Sequence, residues 1–246
     1  DESNWSKQFS QCGGRKQSPI NIETKTLKNK EMSFKYYNYD NKNYVYNVLN
    51  TGYSISTIIQ HSKTKPGIDF ESTMYIFDRF HIHWGNQDDN GSEHSIDNKF
   101  SAAEIHLVHY NEKYESMEKA MTKPNGLLVI GVLAKLSLCP NINLNFLTKA
   151  AQKIYLYNST LVIPSDDNFQ LNQLLPNDKN GNYRYQGSFT IPPCFETVTW
   201  LLYKNPIAIS SDQIKVFRDL QQSSGKKLLT NRRQIQSLND RTVSIF

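Results

Sequence analysis

Apolar side chains in this chain recur mostly at alternate positions or in short unbroken runs, and only rarely with the period of a helix. Runs rich in β-branched and aromatic residues at Tyr44 to Leu49, Ser54 to Gln60, Ser101 to His109, Leu127 to Ala134 and Val198 to Tyr203 predict strands. Strict alternation in Phe80-His81-Ile82-His83-Trp84 predicts another. Helical spacing is clear only near Leu144 to Tyr155 and over Ser211 to Leu220, where Ser210, Ser211 and Asp212 offer capping oxygens. Gly, Pro and Asn punctuate the chain at short intervals, with no repeat and no linker-like block. The pattern predicts one mainly β domain over residues 1–246 with a few short helices.

Composition narrows the classes of function. At 38% hydrophobic and 12% aromatic residues, a sizeable core is affordable. The net charge of +5 is spread thinly, and its densest spots are Lys226-Lys227 and Arg232-Arg233. No basic stripe interleaved with aromatics is present, so nucleic acid is not an expected partner. No apolar run approaches the roughly 20 residues that span a bilayer, and Asp1 to Gln8 is polar. A chain that begins with Asp is compatible with a removed leader, and a lipid anchor or membrane tether outside this sequence is equally compatible. Cys12, Cys139 and Cys194 form no CxxC pair, which disfavours a zinc knuckle or thioredoxin-type motif. Sequons begin at Asn4, Asn90 and Asn158 and would accept glycans in the secretory pathway. Oligomeric state leaves no mark in the sequence.

The histidines carry the chemistry. All six, His61, His81, His83, His94, His106 and His109, lie in the first half. On a strand, His81 and His83 face the same way with Cα atoms roughly 6.6–6.8 Å apart, close enough for two imidazoles to converge on one ion. A second strand, Glu104-Ile105-His106-Leu107-Val108-His109, offers a third ligand, with Glu104 and His106 sharing a face. A single such histidine would be read as an ordinary strand residue. His-x-His with Glu-x-His instead points to metal binding, and three imidazoles that leave a fourth position for water suit catalytic zinc. Spacing alone leaves copper or an adventitious site open.

Several motifs together resemble the α-carbonic anhydrases: FHIHWG at Phe80 to Gly85, GSEHSID at Gly91 to Asp97, AEIHLVHY at Ala103 to Tyr110 and GSFTIPPCFETVTW at Gly187 to Trp200. QSPINI from Gln17, GLLVIGVLAK from Gly126 and NRRQIQSLNDR from Asn231 extend the resemblance over essentially the whole chain. It implies a large twisted, mostly antiparallel sheet with short peripheral helices, and zinc at the bottom of a conical cleft. It also implies reversible hydration of carbon dioxide to bicarbonate by zinc-bound hydroxide, weak ester hydrolysis, and inhibition by sulfonamides. By position, the implied Zn2+ ligands are His81, His83 and His106. Glu104 would accept from the third ligand, the Asn231 carbonyl would orient the second, and Thr190 would pass its proton to Glu93 and so aim an oxygen lone pair at the substrate. The apolar substrate wall would comprise Val108, Leu127, Val129, Phe189, Val198 and Trp200, each of which read singly is a core residue. Cys12 and Cys194 match positions joined by a disulfide in the extracellular and membrane-anchored members, which implies a secreted or cell-surface protein. Cys139 is then left as a free, buried thiol.

Three positions depart from the family pattern. Tyr53 stands where efficient members carry a proton-shuttling histidine, and a phenol is poorly matched to proton transfer near neutral pH. Arg79 replaces a glutamine that accepts from the first ligand; with five donors and no acceptor it cannot do so, though its cation beside the metal would favour hydroxide over water. Ile191 makes its side of the cleft less polar. The alternative readings are a catalytically silent binding or adhesion module of the same family, which would be expected to have lost a ligand, and an unrelated zinc hydrolase, for which no HExxH is present.

Overall fold

The computed structural model describes residues 2–60, 62–167 and 169–246. The alternating runs become strands: β1 (Val45–Asn50), β2 (Ile55–Gln60), β3 (Thr73–Trp84), β4 (Ala103–Asn111), β5 (Leu127–Ser137), β6 (Asn182–Gly187) and β7 (Val198–Tyr203). They lie in the order β1-β2-β3-β4-β5-β7-β6 within a mixed sheet that has 13 strands among the described residues, flanked by short edge strands. Neighbours along this path are antiparallel except β5 and β7, which run parallel from Leu127 beside Val198.

Both faces of the sheet centre are covered, so β4 is buried at every residue, its polar Glu104 and His106 included. Ala103, Ile105 and Leu107 face one core with Phe80, Ile82, Leu128 and Ile130. Val108 faces the other with Leu127, Val129, Val198 and Trp200. Ile105 is wholly enclosed, and cutting such a side chain to alanine costs about 2–5 kcal/mol.

Two helices of useful length pack against each other, α1 (Asn145–Lys153) and α2 (Ser211–Arg218). Of the three residues expected to cap α2, Ser210 does so: its Oγ accepts from Gln213 N, while Gln213 Oε1 accepts from Ser210 N. Both helices are shorter than their apolar spacing predicts; Leu220 is buried beyond the end of α2.

A bulge in β3 decides which residues share a face. Pairing with β4 shifts between Phe77 and Arg79, so Asp78 is the extra residue and Arg79, His81 and His83 fall opposite Val108, His106 and Glu104. Cys139 corrects an expectation. Its thiol is free but exposed, because β5 leaves the core at Lys135 and Cys139 lies past its end among the exposed Leu136 and Leu138. Apolar neighbours in sequence therefore did not mean burial.

Candidate metal centre

β3 and β4 bring His81, His83 and His106 together, His81 lying directly across from His106. One ring nitrogen from each falls within 4.8 Å of the others. Two of the three rings have one nitrogen tied to protein. His83 Nδ1 donates to the Asn231 carbonyl at 3.0 Å, and His106 Nε2 donates to Glu104 Oε1 at 2.7 Å. The free atoms are therefore His83 Nε2 and His106 Nδ1, and His83 Nε2 is buried without a hydrogen-bond partner. No protein group bonds the His81 ring among the described residues, and Arg79, two residues away, is paired with Asp78 at 2.9 Å.

The donor set fits a divalent zinc ion. Burial, reinforced by the neighbouring imidazoles, holds His81 well below the usual histidine pKa, and burial lowers His83 as well. Neutral rings with an orphaned lone pair are what zinc requires of histidine. A second group, His94, Glu104 and His106, also lies close enough to hold an ion, but its atoms are already engaged. His94 Nδ1 donates to Glu104 Oε1 at 2.6 Å, and His94 Nε2 lies 2.6 Å from the Tyr185 hydroxyl. Glu104 Oε2 accepts from the backbone of Glu93 and His94. Burial works to raise the pKa of Glu104, yet His94 and His106 hold it well below the usual carboxylate range, so it remains an anion behind the third imidazole. Gly131 lies across from His106; a Cβ there would come within 3.1 Å of Glu104 Oε1 and 2.5 Å of Leu202 Cδ1, so a larger residue would press on the carboxylate unless Leu202 moved.

Glu93 is fully buried. Its Oε1 accepts from Arg233 N at 2.8 Å, while Oε2 has no hydrogen-bond partner and lies 3.5 Å from His83 Nε2 and 3.8 Å from His106 Nδ1. The Thr190-to-Glu93 hydrogen bond implied by the resemblance is thus not made here; the free carboxylate oxygen turns toward the imidazole nitrogens instead. Thr190 lines the same cleft.

The cleft encloses about 620 Å³, with the three histidines, Val108, Val129, Phe189, Ile191, Val198 and Trp200 in its wall. Leu127 is wholly buried in the core on that side of the sheet and is not part of the wall. Tyr53 also lines the cleft but is 76% exposed, and its carbonyl accepts from Asn231 Nδ2. Cys12 and Cys194 form a disulfide across 182 residues, tying the first turns of the chain to the loop that carries Thr190. Beneath that loop, Arg233 donates to Gln17 Oε1 and the Ser18 and Cys12 carbonyls. Asn4 and Asn158 are exposed, whereas Asn90 Oδ1 is buried and Ser92 of the same sequon is wholly enclosed. His61 lies outside the described residues.

Sequence reasoning had no role for His94, Arg233 or Gly131. GSEHSID and NRRQIQSLNDR contain the first two, but nothing in their spacing shows that His94 closes on Glu104 and Arg233 on Glu93.

Three imidazoles on adjacent strands, lining a largely apolar cleft with ring nitrogens within 4.8 Å of one another, form a group that could hold one metal ion, as the histidine sites of zinc enzymes do. The family model for eukaryotic-type carbonic anhydrases matches residues 1–246, and the chain belongs to that family. It is 32% identical to human carbonic anhydrase 12 over 98% of this chain and 70% of the relative. It is also 32% identical to human carbonic anhydrase 3 over 97% of this chain and 92% of the relative. With mouse carbonic anhydrase 6 it shares 34% identity over 87% of this chain and 67% of the relative.

Proposed function

We propose that residues 1–246 act as one catalytic domain that reversibly hydrates carbon dioxide to bicarbonate and a proton, with His81, His83 and His106 holding Zn2+. The observation that carries this reading is the donor set itself: three imidazole nitrogens within 4.8 Å of one another, one of them buried and unpartnered. Bound zinc would supply Lewis acidity that makes water a nucleophile near neutral pH.

The residues around it do the rest. Glu104 fixes the His106 tautomer with Nδ1 free, and the Asn231 carbonyl does the same for His83 with Nε2 free. Val108, Val129, Phe189, Val198 and Trp200 give an apolar substrate a dry wall beside the imidazoles, and Ile191 keeps the facing loop apolar. Thr190 accepts a hydrogen bond from the attacking oxygen and donates its own O–H to Glu93 Oε2 once that unpartnered carboxylate oxygen swings from the imidazole nitrogens toward it. One lone pair of the attacking oxygen is thereby aimed at carbon. Tyr53 occupies the exposed side of the cleft, where the released proton must leave, and a phenol slows that step.

The disulfide belongs to an oxidising compartment, which supports a secreted or cell-surface location with glycans at Asn4 and Asn158. The buried Asn90 Oδ1 and the wholly enclosed Ser92 speak against the third sequon. No helix among the described residues is long and apolar enough to cross a membrane. The test is zinc content of the purified protein together with carbon dioxide hydration followed by pH change, with and without an aromatic sulfonamide. One zinc per chain and sulfonamide-sensitive hydration are expected. Metal-free protein, or zinc-loaded protein without hydration, would leave only a binding module.

A further inference from the structure

We infer that Arg79 forms an anion subsite in the cleft wall, beside the His81 corner of the metal centre, that takes a planar monovalent oxyanion of the size of bicarbonate. The inference rests on the carbonic anhydrase reading and extends it to how the site handles charged ligands. Three arginines, Arg79, Arg232 and Arg233, face the cleft against one carboxylate, Glu2. Two of the three are committed elsewhere. The Arg233 guanidinium is buried among Gln17, the Ser18 and Cys12 carbonyls and Glu2, and that of Arg232 lies over the Phe100 ring at 4.7 Å.

Arg79 is differently placed. The β3 bulge puts it on the face of His81, opposite Val108, so its side chain starts roughly 6.6–6.8 Å from that of the first imidazole. Only Nη1 is engaged, with Asp78 Oδ2 at 2.9 Å. Nη2 and Nε have no protein partner among the described residues, and the side chain is 38% exposed. Asp78 therefore anchors the fork at one corner while the remaining donors stay available. A guanidinium presents two parallel N–H groups that match the paired oxygens of a carboxylate or bicarbonate, and the residues paired with Arg79 across the neighbouring strands, Val108 and Ile58, bring no side-chain donor or acceptor to compete with an anion. Carbon dioxide, being neutral, gains nothing from this cation. The subsite is therefore selective for the charged product and for ambient anions over the substrate, and it makes the enzyme sensitive to anion concentration.

The test is calorimetric titration of the zinc-loaded protein with sodium nitrate, a planar monovalent anion that does not react, at low ionic strength. Wild type, Arg79→Gln and Arg79→Lys are compared, with zinc content and hydration assayed on each sample. Loss of one half-exposed charge partner should weaken nitrate binding about fivefold in Arg79→Gln, while Arg79→Lys, which keeps the charge but not the paired N–H groups, falls between the two and the gap narrows as salt is added. Equal nitrate affinity in wild type and Arg79→Gln would overturn the inference, as would an Arg79→Lys protein that binds nitrate as tightly as wild type. Wild-type protein that lacks hydration activity would instead count against the catalytic reading, and nitrate binding to the same samples would still report on Arg79.

Discussion

Replacing Glu104 with glutamine keeps the shape of the side chain and removes its charge, at a point where the carboxylate serves four donors. Oε1 accepts from His106 Nε2 at 2.7 Å and His94 Nδ1 at 2.6 Å, and Oε2 accepts from the backbone of Glu93 at 3.0 Å and of His94 at 2.8 Å. A carboxamide has one oxygen. Whichever way it turns, its NH2 faces two donors that cannot move, one pair belonging to backbone and the other to imidazoles. If the NH2 faces the rings, His106 loses the acceptor that fixes its tautomer, and its Nδ1 is no longer held free for a metal. Loss of such a partner behind a ligating histidine lowers metal affinity about 10- to 100-fold, or roughly 1.4–2.7 kcal/mol. Each charge-assisted bond given up also removes about 1.5–3 kcal/mol from the fold, so the metal-free variant should unfold at lower urea. The assay is competition for zinc against a chelating chromophore at neutral pH, with urea unfolding of the same samples. A zinc dissociation constant within twofold of wild type would refute the reasoning that Glu104 prepares His106.

Acid should weaken the fold through His109. Burial lowers its pKa to about 3, below the ordinary unfolded value, so the unfolded chain binds the proton first. Stability is complete above pH 6.5 and is lost as pH falls toward 3, by roughly 2 kcal/mol between pH 7 and 5. Urea midpoints should track this loss, and His109→Gln should flatten it; a midpoint independent of pH in wild type would exclude it. Tyr53→His should raise turnover severalfold in weak buffer, with the wild-type rate recovering when imidazole is added; rates indifferent to both changes would remove Tyr53 from the proton path. Replacing Cys12 and Cys194 by serine opens a closure of 182 residues and should cost up to about 5 kcal/mol, read as a lower urea midpoint than the oxidised protein shows. Gly131→Ala should weaken zinc binding in the direction of Glu104→Gln by crowding the same carboxylate; unchanged zinc affinity would show that Leu202 yields instead.

Much of the sheet was legible because its strands announce themselves by alternation. Phe80 to Trp84 shows which residues face together, and the spacing of His81, His83 and His106 is enough to choose one set of donors. What alternation could not show was the depth of burial. Cys139 sits among leucines, yet the strand has already left the core. Leu127 matches a position expected in the cleft wall but lies behind it. The loops were opaque for a different reason. His94 and Arg233 act through contacts with residues distant in sequence, His94 with Tyr185 and Ser18 with Arg233, and no local period encodes such pairings. Arg79 was visible as a cation near a ligand, but its partner Asp78 emerges only from the bulge, because neighbouring residues on a regular strand point to opposite faces.

The most direct measurement is anomalous diffraction at the zinc absorption edge, from crystals of protein purified without chelators. A single strong peak is expected among His81, His83 Nε2 and His106 Nδ1, with no protein atom on its fourth side. A peak elsewhere, or three imidazoles with nothing between them in zinc-supplemented crystals, would contradict the account.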